Sequence, residues 1–203
     1  MIISHEVEAE LQKNTAHLQI NGKIFEIPIF ERHELQSDLP KNFSVEIPQK
    51  LFRGSWPIEK LLGLESLEIE KIVSLYSSND KKELAMLPIL TSKVAMMGLD
   101  HVVVDIQSNL NLFDAAVNNY DGKTKTYVHC QAGANRTGLF CLTANIREKF
   151  MQSQPFTETD LVDALTKMLQ GGYDWDQEKY IRNLNEVIAF CIQRGFLSSD
   201  LFR

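Results

Sequence analysis

The sequence predicts an α/β domain built around a central, mainly parallel sheet of about four or five strands with helices on both faces. Two observations carry the prediction. From about Leu51, short β-rich runs alternate with helical stretches, the pattern of βαβ units, and after Cys130 the chain reads as helix. A third observation bounds it. The 203 residues, 44% apolar and 24% charged, suit one ordinary core and exclude a disordered tail, a collagen-like fibre or a disulfide scaffold.

Residues 16 to 30 read AHLQINGKIFEIPIF, two apolar-rich runs around Asn21-Gly22, which predicts a β-hairpin with a two-residue turn. Pro28 cannot donate to a ladder and places that part of the second strand at an edge. Residues 31 to 50 are polar, carry Pro40 and Pro48, and are expected to connect the hairpin to the main domain. Residues 1–50 are thus expected to be an N-terminal extension packed on a domain of residues 51–203.

Within that domain the strands are expected at Leu51 to Gly54, Ile72 to Ser77, His101 to Ile106 and Thr126 to Cys130. Between them, Pro57 to Leu67 starts with proline in a first turn. Asp80 to Met97 and Asn109 to Tyr120 carry spaced apolar residues among helix formers, and Pro88 is expected to break or kink the former. Helices are then expected at Thr137 to Met151, Thr157 to Leu169 and about Asp174 to Gln193. Thr157 with Asp160 three residues later forms a helix-start box, and Gly195 is a helix stop.

The longest apolar runs fall far short of the roughly 20 residues that span a bilayer, and Met1 to Glu10 already carries His5, Glu6, Glu8 and Glu10, so neither a membrane span nor a signal peptide is expected. A net charge of −6 weighs against a surface for duplex nucleic acid but leaves room for one small anion pocket. Cys130, Cys141 and Cys191 form an odd set, which fits free thiols in a reducing compartment such as the cytoplasm. Cys141 and Cys191 lie on apolar helical faces and are read as inert.

One stretch stands apart: His129-Cys130-Gln131-Ala132-Gly133-Ala134-Asn135-Arg136-Thr137-Gly138, between a β-rich run and a helix. A helix start exposes unpaired N–H groups and a positive dipole end, so strand, tight loop and helix together cradle an anion. Gly133 suits close approach of the backbone, and Ala132 and Ala134 keep side chains out of the way. Arg136, six positions after Cys130, can bring a planar fork back towards the thiol, a bidentate geometry that Lys lacks. N–H groups and a guanidinium both stabilise a thiolate, so Cys130 is expected to be nucleophilic. The Thr137 hydroxyl is placed to hydrogen-bond the sulfur.

His129-Cys130, five residues, Arg136-Thr137 resembles the active-site signature of the cysteine-dependent protein tyrosine and dual-specificity phosphatases. LFRGSWP, IVSLYS and the later helices follow the order usual in the compact dual-specificity branch, over about residues 51 to 190. The resemblance implies the cysteine-phosphatase fold and two-step hydrolysis of a phosphate monoester without metal or other cofactor. In it Cys130 attacks phosphorus and Gln131, Ala132, Gly133, Ala134, Asn135 and Arg136 hold the phosphate oxygens. His129 is a supporting residue that tunes the thiolate. The expected partner is a phosphorylated protein or a small phosphomonoester.

The family also uses an aspartic acid to protonate the leaving oxygen. Ligands bind at the carboxyl ends of parallel strands, which selects Asp105 over Asp100, about 16 Å away at 3.3 Å per residue; Asp114 and Asp121 are the alternatives. Gln131 to Asn135 contains no Lys or Arg, unlike the inositide branches, which favours a less charged substrate. Asn135-Arg136-Thr137-Gly138 is also similar to the RNA 5′-triphosphatase branch. Three further readings therefore stand beside a phosphoprotein phosphatase: a phospho-binding module without turnover, a polynucleotide 5′-phosphatase and an inositide phosphatase. Tyr173, Trp175 and Tyr180 are expected to pack the last helix, and Arg53 to cap a strand end.

Overall fold

The structure, a computed structural model, describes residues 15–29, 38–170, 172–173 and 178–203. Strands β1 (Thr15–Ile20) and β2 (Lys23–Pro28) form an antiparallel hairpin. At its turn Asn21 and Gly22 have φ of 49° and 86°, the left-handed pair that matches the twist of the flanking strands. Alternation does the rest: Ala16, Leu18, Ile20, Phe25 and Ile27 are buried and join the larger core of the molecule.

The second sheet has five strands in the order β3-β4-β7-β5-β6: β3 is Ser44–Ile47, β4 Leu51–Gly54, β5 Lys71–Tyr76, β6 Asp100–Asp105 and β7 Thr126–His129. Only β3 is antiparallel to its neighbour. The helices are α1 (Leu61–Ser66), α2 (Lys81–Met96), α3 (Asn109–Asn119), α4 (Asn135–Met151), α5 (Glu158–Gln170) and α6 (Glu178–Gln193), followed by a 3-10 turn at Ser199–Phe202.

Period-two alternation sends each strand's side chains to two cores. Val73, Leu75, Val128 and Cys130 join the larger one under α3 to α6, with the hairpin on α5 and α6. Ile72, Phe52 and Tyr127 join a smaller one with Leu61 and Leu64 of α1 and Leu90 and Val94 of α2. Strands buried on both faces read as apolar runs, which is why β5 and β7 are visible in the sequence.

Three expectations are corrected. Ser44–Ile47, expected to lie in a connecting segment, is an edge strand that pairs with β4 through an irregular register at Val45 to Ile47. Four residues that include Ser44 and Glu46 show no apolar run. Glu46 is nevertheless buried, because its carboxylate pairs with the fully buried Arg53 at 2.5 Å; Arg53 also donates to the Lys167 carbonyl, so it is structural. The helix expected at Pro57 to Leu67 shrinks to α1. Pro88, expected to break or kink its helix, does not break it: α2 runs from Lys81 to Met96 with Pro88 inside. It removes the bond to the Leu84 carbonyl, and Leu84 and Pro88 are both exposed, so water can take that acceptor. The expected start of the last helix at Asp174, and Trp175, lie outside the described residues; Tyr173 is buried and donates to the Tyr180 carbonyl at 2.9 Å. Among the described residues no helix is long and apolar enough to cross a membrane.

Candidate active site

β7 is the central strand, and its carboxyl end delivers Cys130, buried at 4% exposure, between the ends of β4 and β5. The chain then turns through 131–134 into α4. Gly133 has φ +71°, and a Cβ there would lie 2.1 Å from the Gly54 carbonyl carbon and 2.5 Å from the Ser55 nitrogen. Only glycine satisfies both demands. Asn42 closes the outer side by donating to the Ala132 carbonyl at 2.5 Å.

α4 begins without a side-chain cap at Ala134, and its first bond runs from Gly138 N–H to the Ala134 carbonyl at 2.8 Å. Among the described residues no hydrogen bond uses the main-chain N–H of Gln131, Ala132, Gly133, Ala134 or Arg136. Such a run of free donors at the start of a 17-residue helix is suited to an oxyanion.

Arg136 is held on one side. Nη1 donates to Glu83 Oε2 at 2.9 Å and to the Leu75 carbonyl at 3.1 Å, and Nη2 donates to Glu83 Oε1. A guanidinium has five N–H donors. Three are used here, and the two left over, on Nε and Nη2, share one edge of the plane. Burial alone would lower the Arg136 pKa, but the Glu83 carboxylate outweighs it and raises it. Glu83 is 1% exposed and also accepts from Ser77 N–H at 2.6 Å.

His129 is fully buried, with the Trp56 ring centroid at 4.9 Å. Burial pushes its pKa down to about 3, with His101 and Arg136 acting in the same direction against the Cys130 main chain; the ring is neutral. Its Nε2 lies 2.7 Å from Ser74 Oγ, which is 2.8 Å from His101 Nε2. Thr137 is buried and its hydroxyl has no hydrogen-bond partner, so the expected bond to the sulfur is not formed here. Gln131 and Ala132 are exposed at the rim, and Asn135 and Arg136 are half-buried.

Asp105 closes β6 at the same end of the sheet. Since Ser74 pairs with His129 and Tyr76 with Asp105, Asp105 lies about 10 Å across the sheet at roughly 4.8 Å per strand. Its carboxylate accepts from Ser78 N–H at 2.9 Å and Gln107 at 3.1 Å, and the Ser78 bond above all holds its pKa below the usual value. Asp100 starts β6 at the far end. Asp121 precedes β7, where it accepts from Lys123 and Thr124, and Asp114 pairs with Arg194 at 2.8 Å. Cys141 and Cys191 are buried in helices, and burial raises both thiols, Cys191 to about 12.

Residues 100–174, from the start of β6 to beyond α5, match the family model described as protein-tyrosine phosphatase. Residues 100–174, with the signature loop inside them, are thus similar to the protein-tyrosine phosphatases. Two structures of a putative phosphatase from Shewanella putrefaciens CN-32 resemble the chain at 19% and 20% identity. They cover 75% and 74% of it and 92% and 93% of their own lengths, with TM-scores of 0.54 and 0.51. Identity that low speaks for fold alone. The core catalytic domain of a PP-IP phosphatase from S. cerevisiae aligns at 16% identity over 78% of this chain and 96% of its own, with a TM-score of 0.48. No curated protein matches the sequence.

In this phosphatase fold, sequence reasoning missed Glu83, Ser74 and His101. Asp80 three residues before Glu83 is a helix-start signal that could have been read, and the Asp80 carboxylate does accept from Lys82 and Glu83 N–H. That Glu83 would meet Arg136, 53 residues away, needs the tertiary fold.

Proposed function

We propose that the chain is a metal-independent phosphomonoester hydrolase of the dual-specificity type, acting through a phosphocysteine, with phosphoprotein as substrate. The observation that carries this reading is the convergence on one loop of a nucleophile, Cys130, a set of free N–H donors and the unoccupied edge of Arg136.

In the first step Cys130 Sγ forms a bond to phosphorus while the ester P–O bond breaks, and Asp105 gives its proton to the leaving oxygen. The N–H groups from Gln131 to Arg136 and the free guanidinium edge hold the equatorial oxygens. In the second step water attacks phosphorus, Asp105 takes its proton, the S–P bond breaks and phosphate leaves. Thr137, whose buried hydroxyl is uncommitted, is assigned the stabilisation of the departing thiolate. His129, neutral and fixed by Ser74, orients the loop.

The catalytic unit in this reading is residues 51–203 together with β3, which completes its sheet, and the hairpin is an extension. The neutral side chains of Gln131 to Asn135 favour a substrate less charged than an inositide, and three free cysteines suit a reducing compartment.

The test is turnover of a chromogenic aryl phosphate. Cys130→Ser should abolish it while phosphate still binds, and unchanged turnover in that variant excludes the mechanism. Phosphopeptides, inositol phosphates and 5′-triphosphate RNA, assayed in parallel, decide the substrate class.

A further inference from the structure

We propose that Ser74 and His101 are positioning residues for Cys130, acting through a hydrogen-bonded relay that fixes the tautomer of His129. The proposal rests on the reading of Cys130 as the nucleophile and adds two residues to it.

β7, β5 and β6 lie side by side, and each contributes one member. Ser74 is the register partner of His129 on one side, and His101 lies diagonally across on the other, paired with Ile72. The hydroxyl is 2.7 Å from one Nε2 and 2.8 Å from the other. A hydroxyl has one proton and two lone pairs, so the satisfied arrangement has one ring accepting from it and the other donating to it. Ser74 and His129 are fully buried, under Trp56 and Tyr127, so water does not compete for either.

The direction follows from the sulfur's own residue. His129 Nδ1 is buried without a hydrogen-bond partner of its own, the Cys130 main chain favours a proton on the ring, and in the proposed relay Nε2 accepts from Ser74, which leaves that proton on Nδ1. Nε2 of His129 then accepts from the Ser74 hydroxyl, and Ser74 accepts from His101 Nε2–H. The tautomer of one imidazole is set by the bond its other nitrogen makes, so His101, two strands away, determines which face His129 shows to Cys130. Asp100 beside His101 and Arg136 near His129 are the charged groups acting on the two rings, and burial keeps both rings neutral against the pull of Asp100.

The decisive measurement is long-range proton–nitrogen NMR of the histidine side chains of the full chain near neutral pH. The wild type should show His129 protonated on Nδ1 and His101 on Nε2. In Ser74→Ala the His129 signals should move to a mixture of tautomers, and Ser74→Thr should restore them. kcat for an aryl phosphate should fall about tenfold in Ser74→Ala, the low end of what outer-shell partners of metal-site histidines cost, with KM changed less than about twofold. If Ser74→Ala does not fold, His101→Phe at the half-buried end carries the same expectation, and His101→Gln, which keeps a donor, should retain the wild-type tautomer. A His129 tautomer that stays the same in both Ser74→Ala and His101→Phe, or is Nε2-protonated in the wild type, overturns the relay. A wild type without turnover, when Ser74→Ala still shifts the His129 tautomer, leaves the relay standing and overturns the hydrolase reading instead.

Discussion

In the proposed reaction Arg136 does two jobs with one planar group. Its Nη1–Nη2 edge is bound to Glu83, which fixes the plane, so the Nε–Nη2 edge is pre-aimed before any anion arrives and its two N–H groups need no reorganisation. An ammonium is a point charge on a flexible stem and cannot hold Glu83 and an anion with two parallel pairs of bonds. Arg136→Lys should therefore cost about 100-fold or more in kcat/KM, as the loss of preorganised oxyanion donors does elsewhere. Glu83→Gln keeps the shape and one acceptor and should cost about tenfold, or ~1.4 kcal/mol of transition-state stabilisation; steady-state kinetics on an aryl phosphate measures both. If Glu83→Gln matches wild type, the aiming argument is wrong. Asp105 carries a prediction with a sign. An acid must hold a proton to give it, and the Ser78 N–H holds this carboxyl below its usual pKa. The protonated fraction thus grows as pH falls, and so should the rate for poor leaving groups relative to good ones. Asp105→Asn should flatten that pH dependence, whereas Asp100→Asn, at the other end of β6, should leave it intact.

Elements set what those residues can reach. The turn from β7 into α4 passes so close to the end of β4 that Gly133 has backbone, not a yielding side chain, against its Cα. Gly133→Ala must both strain a φ of +71° and push Gly54 and Ser55 away, a cost of about 2–4 kcal/mol. Thermal unfolding should show that loss, and turnover should disappear because the N–H groups no longer converge. A variant with wild-type Tm would contradict the geometry. The loop itself was legible in the sequence: a cysteine, a glycine and an arginine at fixed spacing between an apolar strand and a helix start are local facts. So were β5, β7 and the Asn21-Gly22 hairpin, whose patterns are short-range. β3 was not, because its burial depends on Glu46 meeting Arg53, a pairing that no hydrophobic pattern announces. Ser74 and His101 stayed hidden for a related reason: β5 and β6 are recognisable alone, but which side chains face each other across them is a matter of register, and the sequence carries no mark of it.

The molecule as a whole is built to keep a neutral imidazole at its centre, and this makes its stability depend on pH in a definite direction. His129 titrates at about 3 in the folded state against an ordinary 6.5, chiefly because it is buried; His101 is lowered in the same sense by burial. The unfolded chain takes up these protons below about pH 6.5 and the folded chain does not, so stability is fully present above that value and falls as pH drops towards about 3. One histidine contributes a slope of up to ~1.4 kcal/mol per pH unit in that window. Carboxylates add their own losses only nearer their pKa, so the interval from about pH 5 to 6.5 reports the histidines. Urea midpoints measured across it should fall with acid in the wild type and fall less in His129→Asn, which cannot take up the proton in either state. Asn is too short to reach Ser74, which is bonded through Nε2 of the ring, so the comparison is of slopes and not of absolute midpoints. Equal slopes in the two proteins would mean that the ring is protonated in the native state, and with it the relay through Ser74 would lose its acceptor.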